Sequence, residues 1–259
     1  MKGAMAVAFP PDFGDWDEYQ RDLFIWRKRW LDLVEQRATD LGWPTGDGCF
    51  PGTYLDESGY WHGQLPPPGD WGMWVLMAGR GYGKTRCASE DMGWYGLTHP
   101  GTQLLVVGPT YEKMINVDFE GESGLVKILP EKWVTHWHSS EKELLLTNGT
   151  IYRGISAETP DRIRGYAFAR AWIDELGEMV LNGADVLDQV ELATRVPPDP
   201  RIIITTTPKP TRLMRDLRDE AVPPPPRVGV EIDTGPAVPG KARSLLSSST
   251  IYSDCFVGF

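Results

Sequence analysis

Cysteine is nearly missing from this chain. Cys49, Cys87 and Cys255 are the only three in 259 residues, scattered and odd in number. They build no disulfide framework, which fits a reducing cytosol. Cys87 reads most simply as a small buried thiol. Histidine is equally thin. His136 and His138 stand two apart with no third candidate nearby, so they are read as strand or surface residues and not as a zinc site. No apolar run approaches the length of a membrane span. The start, Met1 to Pro10, carries one lysine and a short apolar patch that Pro10 and Pro11 break, a poor secretory signal. No internal repeat is evident. Positive charge is also in deficit: the net charge is −10. That argues against a protein whose whole surface grips nucleic acid, although a local basic face on an acidic molecule stays open.

What the chain does have is the stretch Trp74 to Arg86, Trp-Val-Leu-Met-Ala-Gly-Arg-Gly-Tyr-Gly-Lys-Thr-Arg. Val75 to Met77 is an apolar run of buried-strand type. A glycine-rich turn follows, Gly79 to Gly83, then Lys84, Thr85 and a helix-compatible stretch. Strand, Gly-rich loop, Lys-Thr and helix form the phosphate-binding P-loop pattern. Glycines let backbone N–H groups turn inward around phosphates, and the helix N-terminus favours an anion. Lys84 reaches the β/γ-phosphates and the Thr85 hydroxyl binds Mg²⁺ in such a loop. The usual pattern has Gly where Ala78 stands. The plainer alternative is an ordinary Gly-rich strand-to-helix turn.

A second apolar strand, Ala171-Trp172-Ile173, ends in Asp174-Glu175. About 90 residues after a P-loop, such a pair suits nucleotide hydrolysis: the Asp holds Mg²⁺ through water and the Glu polarises the attacking water. Alternatively the two acids cap the following helix. A third buried strand, Arg201 to Ile204, runs into Thr205-Thr206-Thr207-Pro208. Three hydroxyl residues at the carboxyl end of a parallel strand would face the ligand crevice and sense the γ-phosphate. The β-propensity of Thr plus a turn explains them equally well.

The remaining chain supplies a frame. Residues 12 to 37 read as an amphipathic helix with Trp16, Tyr19, Leu23, Trp26, Trp30, Leu33 and Val34 on one face. Arg21, Arg27, Lys28 and Arg29 lie on the other, favoured as a solvated face over a DNA-contacting patch. Residues 39 to 70 read as a loop-like lead-in, including Gln64. A Gln amide ahead of a P-loop strand matches the donor and acceptor of an adenine edge, although a lone Gln is weak evidence. A helix is expected over 85–97 and a strand over 103–107, which together with the P-loop strand suggest a parallel sheet. Tyr111 to Leu129 reads as helix interrupted at Gly121 and Gly124, and 133–137 as a strand. Asn148-Gly149 between two apolar runs, 143–147 and 150–154, is a hairpin signal. Helices are expected over 181–194 and 211–220, the latter with Arg212, Arg215 and Arg218 near one face. Pro223 to Pro226 is a stiff spacer, and Arg227 to Ile232 one more strand. The Gly, Pro, Ser and Ala stretch after Thr234, with its apolar ending, has no account in the sequence.

Taken in order, these residues resemble the large terminase subunit of tailed bacteriophages. The resemblance rests on Gln64 to Trp71 ahead of the P-loop and on Val107 to Thr110, Glu120 to Leu125 and Pro160 to Gly165. Ala171 to Leu176 and Thr205 to Pro208 complete it. It covers about residues 62 to 215. It implies an α/β P-loop NTPase fold of the ASCE type, a mainly parallel central sheet flanked by helices. An N-terminal helical extension and an added β-hairpin would adorn it. Residues 1–61 would be the extension, 62–233 the ATPase domain and 234–259 a low-complexity tail. The family is an ATP-driven motor that packages viral double-stranded DNA into a procapsid in the bacterial host cytoplasm. It works with the portal, a small terminase subunit and further copies of itself in a ring, with no membrane involved. By position, Gln64 would be the adenine-side residue. Gly79, Arg80, Gly81, Tyr82, Gly83, Lys84 and Thr85 would hold ATP. Thr85 and Asp174 would hold Mg²⁺, and Glu175 would be the catalytic base. Arg80 would contact the phosphates, Arg164 would act on a neighbouring subunit's ATP, and Thr205 to Thr207 would couple hydrolysis to movement. The family's nuclease domain does not fit into the residues after Pro210, so ATPase activity without DNA cleavage is expected. The competing readings are another P-loop machine, such as a helicase or a partition-type ATPase, and a truncated remnant that binds nucleotide without turnover.

Overall fold

The computed structural model describes residues 14, 16–42, 53–55, 61–67, 70–220 and 251–254. Helix α1 (Glu18–Asp40) begins later than the periodicity predicts, because Asp17 caps it. The Asp17 carboxylate accepts from the Gln20 N–H at 2.7 Å, and the Gln20 side chain accepts from the Asp17 N–H at 3.1 Å. This reciprocal pair satisfies two orphan donors at the helix start. Trp26, Trp30, Val34 and Ala38 form the buried stripe at four-residue spacing. Leu33, expected on that stripe, is 50% exposed.

Ten strands join one sheet among the described residues: β1 (Thr53–Leu55), β2 (Trp61–Gly63), β3 (Met73–Met77), β4 (Gln103–Gly108), β5 (Val134–His138), β6 (Glu143–Leu146), β7 (Ile151–Ser156), β8 (Arg170–Asp174), β9 (Arg201–Thr206) and β10 (Ile251–Asp254). Their order is β1-β2-β10-β3-β9-β8-β4-β7-β6-β5. From β10 to β7 every neighbouring pair is parallel, while β5, β6 and β7 form an antiparallel meander. Strand β9 therefore lies between the P-loop strand β3 and the acidic strand β8. The lead-in over 39–70, expected as loop, contributes the short strands β1 and β2. The apolar ending contributes β10, paired with β3 from Ile251↔Met73 to Asp254↔Leu76. The predicted proline spacer and the strand over 227–232 lie outside the described residues.

The central strands are apolar without alternation because both faces of the sheet are covered. Trp74 and Leu76 face the layer of α1 and α2 (Lys84–Thr98), with Trp26, Trp30 and Met92. Met73, Val75 and Met77 face the opposite layer of α3 (Gly183–Ala193) and α4 (Arg212–Glu220), with Val186, Val190 and Leu217. Each such large side chain contributes roughly 1.5–3 kcal/mol when fully buried. The Asn148-Gly149 hairpin is present, with Gly149 at φ 84. The Asn148 amide donates to the Gly96 carbonyl at 2.8 Å, which ties the hairpin to the end of α2. The interrupted helix after β4 consists of a single turn (Tyr111–Lys113), a π-helical stretch (Met114–Phe119) and another turn (Leu125–Ile128). Among the described residues no helix is long and apolar enough to cross a membrane.

Candidate active site

The carboxyl ends of β3, β9 and β8 lie side by side, and the three predicted motifs leave from them. After β3 the chain turns through Gly81 (φ 79) and Gly83 (φ 95) into α2. Both angles belong to the left-handed region that glycine enters without steric cost. Lys84 is buried and donates to the carbonyls of Ala78 (3.0 Å) and Gly79 (3.3 Å) and to the Thr207 hydroxyl (3.3 Å). Its ammonium stands 3.6 Å from Glu175 Oε1.

The acids occupy the end of β8. Glu175 sits at φ 50, ψ 45, a left-handed conformation rare for a residue with a side chain. It accepts from the Thr207 N–H at 2.9 Å and from the Thr207 hydroxyl at 3.0 Å. Asp174 is buried and accepts from the Thr205 hydroxyl at 2.6 Å. Thr205 in turn accepts from the Trp172 indole N–H at 2.7 Å. Burial pushes the Asp174 carboxyl up to about 6; the Thr205 hydrogen bond opposes this and the charge of Glu175 adds to it. The Thr206 hydroxyl accepts from the Gly177 N–H at 2.9 Å. Each threonine of the triplet thus holds a different part of the acidic turn, which β-propensity alone does not explain.

A cleft of about 480 Å³ opens in front of this cluster. Arg80, Lys84, Thr85, Arg86 and Glu175 line it. Its charged residues are three cations, Arg80, Lys84 and Arg86, and two acids, Glu122 and Glu175. Arg86 is paired with Glu90 at 2.6 Å, which leaves Arg80 and Lys84 as the cations placed to meet an anion in the cleft. Its far wall comes from Asn116 in the π-helical stretch and from Glu122 and Ser123 in the turn after it. No role for these wall residues follows from local pattern, since only the fold brings them opposite the P-loop. Asp118 was likewise missed. It is 1% exposed and packs against Asp174; burial first, then the Asp174 charge, raises its carboxyl well above the usual range.

A hard divalent cation prefers oxygen ligands, and Mg²⁺ keeps several waters and phosphate oxygens around one or two protein groups. The Thr85 hydroxyl on the cleft wall and the buried Asp174 carboxylate beside Glu175 are oxygen donors of that kind. Among the described residues no cluster of three His, Cys, Asp or Glu would hold a metal by itself. The residues therefore fit Mg²⁺ arriving with a nucleotide.

The family model for the terminase large subunit, T4likevirus-type, N-terminal, matches residues 75–228, more than half of the chain. The chain belongs to the terminase large subunit family. The match begins within the P-loop strand and spans the P-loop, both acids and the threonine triplet. Among solved structures, this terminase chain is similar to the large terminase ATPase domain of Thermus phage P74-26, at 16% identity and TM-score 0.49, covering 85% of this chain and 84% of that one. It is also similar to the large terminase of bacteriophage HK97, at 23% identity and TM-score 0.43 over 52% of this chain and 29% of that one. A third likeness is to the large terminase of a thermophilic bacteriophage in complex with ADP, at 19% identity and TM-score 0.44 over 53% of this chain and 33% of that one. No curated protein matches the chain in sequence.

Three predicted site residues stand apart from the cluster. Tyr82 turns its ring into the interior and donates to the Gly63 carbonyl at 3.1 Å, so only its backbone belongs to the loop. Gln64 is buried behind the P-loop, where its amide N–H donates to the Tyr82 carbonyl. Arg164 does not line the P-loop cleft; it borders a separate recess with Tyr166, Gln189 and Arg195. Its side chain is 66% exposed, donates to Gln189 Oε1 at 3.0 Å and pairs with Asp161 at 3.3 Å. The basic face of α1 also differs from expectation: Arg29 pairs with the buried Glu90 of α2 at 2.8 Å, and Arg27 lies over the Trp94 ring at 5.2 Å. These two cations brace the P-loop helix and are not a solvated row.

Proposed function

We propose that this chain is the ATP-hydrolysing motor part of a phage terminase large subunit, coupling Mg²⁺-ATP hydrolysis to movement of viral double-stranded DNA into a procapsid. The observation that carries this reading is the grip of Thr207 on Glu175 beside Lys84. It joins the phosphate lysine, the acidic turn and the third strand in one hydrogen-bonded unit. Lys84 and Arg80 bind the phosphate oxygens, and the P-loop N–H groups orient them. Thr85 and Asp174 would hold Mg²⁺, which would supply charge neutralisation for the phosphates. Glu175 holds the attacking water and accepts its proton. The exposure of Arg164, away from its own cleft, supports its action on the ATP of a neighbouring copy in a ring. There its guanidinium would neutralise charge building on the γ-phosphoryl group. Thr205 to Thr207 report the state of that group to the chain beyond β9. Portal, procapsid, small subunit and host cytoplasm follow from the family as the setting of such a motor.

The test is steady-state ATP hydrolysis by the purified chain across protein concentrations, with Lys84→Ala, Glu175→Gln and Arg164→Ala. Specific activity that rises with concentration and collapses in all three variants supports a motor completed by a neighbour. Activity indifferent to Arg164 at every concentration refutes the role given to that residue. Nucleotide binding with no turnover under any condition favours the inactive remnant, and strand separation driven by turnover favours a helicase.

A further inference from the structure

The glycines that let the P-loop fold also leave its apex poorly determined. Peptides flanking Gly81 and Gly83 rotate cheaply, because glycine accepts φ of either sign. A flipped peptide would point a carbonyl, not an N–H, at a bound phosphate. Within the apex the Tyr82 N–H reaches the Gly79 carbonyl only at 3.4 Å, a long bond. Something outside the motif has to fix these peptides.

Two side chains ahead of the motif reach them. Arg37, in the last turn of α1, donates from Nη2 to the Gly81 carbonyl at 2.9 Å, and its guanidinium lies over the Tyr82 ring at 5.6 Å. Gln64, just after β2, donates to the next carbonyl, that of Tyr82. In a trans peptide the N–H points opposite to the carbonyl. Holding the Gly81 carbonyl thus orients the Tyr82 N–H, and holding the Tyr82 carbonyl orients the Gly83 N–H. Both side chains converge on one spot: a Cβ added at Gly83 would lie 2.7 Å from Gln64 Nε2 and 3.1 Å from Arg37 Nη1. Gly81 and Gly83 both line the cleft on the other side. Arg37 is itself held in place, since Val34 and Ala38 anchor that end of α1 in the core.

We propose that Arg37 and Gln64 are positioning residues for nucleotide binding, each clamping one carbonyl of the P-loop apex from behind so that the loop's N–H groups face the phosphates. The proposal rests on the nucleotide reading of the cleft. It gives Gln64 work on the loop backbone, to which one of its two amide N–H groups already donates. A backbone clamp serves the triphosphate of any nucleotide, whereas an adenine reader serves only ATP.

The experiment is isothermal titration of the full chain with non-hydrolysable ATP and GTP analogues in Mg²⁺, for wild type, Arg37→Ala, Arg37→Lys and Gln64→Ala, with thermal melts as a check on folding. Arg37→Ala is expected to weaken both analogues alike, by about tenfold or more, the scale of one charged hydrogen bond. Arg37→Lys recovers a large part of that loss, since the charge and one donor return; a general loosening of the fold would not be rescued so. Gln64→Ala weakens ATP and GTP binding by the same factor. Wild-type affinity retained in Arg37→Ala overturns the clamp, as does a Gln64→Ala loss confined to the ATP analogue. A wild-type chain that binds neither analogue overturns the nucleotide reading itself, a result distinct from either.

Discussion

Thr207 holds both carboxylate oxygens of Glu175, one through its backbone N–H and one through its hydroxyl. The residue read as the catalytic base is therefore oriented by the end of β9, a strand from a different part of the chain. Removing only the hydroxyl, in Thr207→Val, leaves the N–H bond and leaves Glu175 Oε1 with Lys84, at 3.6 Å, as its charged neighbour. Turnover is expected to fall about tenfold in single-turnover assays while nucleotide affinity stays within about twofold, on the scale by which orienting partners affect a site. Glu175→Gln goes further and removes the base, with a loss of about 10² or more.

Gly177 has no room for a side chain. An added Cβ would stand 2.8 Å from the Thr206 hydroxyl, which accepts the Gly177 N–H, and 3.2 Å from the Thr207 carbonyl. Gly177→Ala is expected to displace the threonine triplet from the acidic turn and to lower turnover more than it lowers the melting temperature. Hydrolysis rates and melts on the same preparation check this.

Arg170 and Asp91 form a buried pair at 2.5 Å between β8 and α2, and the guanidinium lies over the Tyr95 ring at 4.3 Å. Arg170→Ala strands Asp91 as a buried charge and is expected to cost about 3–5 kcal/mol in urea unfolding. Arg170→Met with Asp91→Leu removes both charges and should recover most of that loss.

Glu191, on α3, titrates at about 7, raised first by burial and then by the charges of Asp188 and Glu220. A carboxyl raised in the folded state is held more tightly as the neutral acid, so its contribution to stability is full below its unfolded value of 4.5. It is lost as pH rises through about 7. Glu191→Gln, neutral at every pH, is expected to melt close to wild type at pH 4 and above it at pH 8. Melts across that range decide the matter; parallel curves would refute it.

Much of this architecture was legible because its signals are local. Apolar runs bounded by Gly and Pro located β3, β4, β8 and β9, and the Asn148-Gly149 pair located the hairpin. The P-loop and the acid pair were readable because their chemistry demands fixed spacing along one chain segment. The parts that were not readable are juxtapositions across the fold. Nothing near Asp118 in sequence says that it packs on Asp174. The periodicity of α1 separated an apolar from a basic face, but not that Arg29 would answer Glu90 or Arg37 the Gly81 carbonyl. Strands of three or four residues such as β1, β2 and β10 carry too few positions for a period to register.

The order β3-β9-β8 has a mechanical corollary. The strand that ends in the threonines is not at the rim of the site but wedged between phosphate loop and acids, sharing a ladder of hydrogen bonds with each. Lys84 and Glu175, which line the cleft, both contact Thr207 directly. Only Pro208 to Thr211 separates that residue from the start of α4. If nucleotide is cleaved here as proposed, a shift at the end of β9 would reach the root of α4 through four residues, two of them the φ-restricted Pro208 and Pro210.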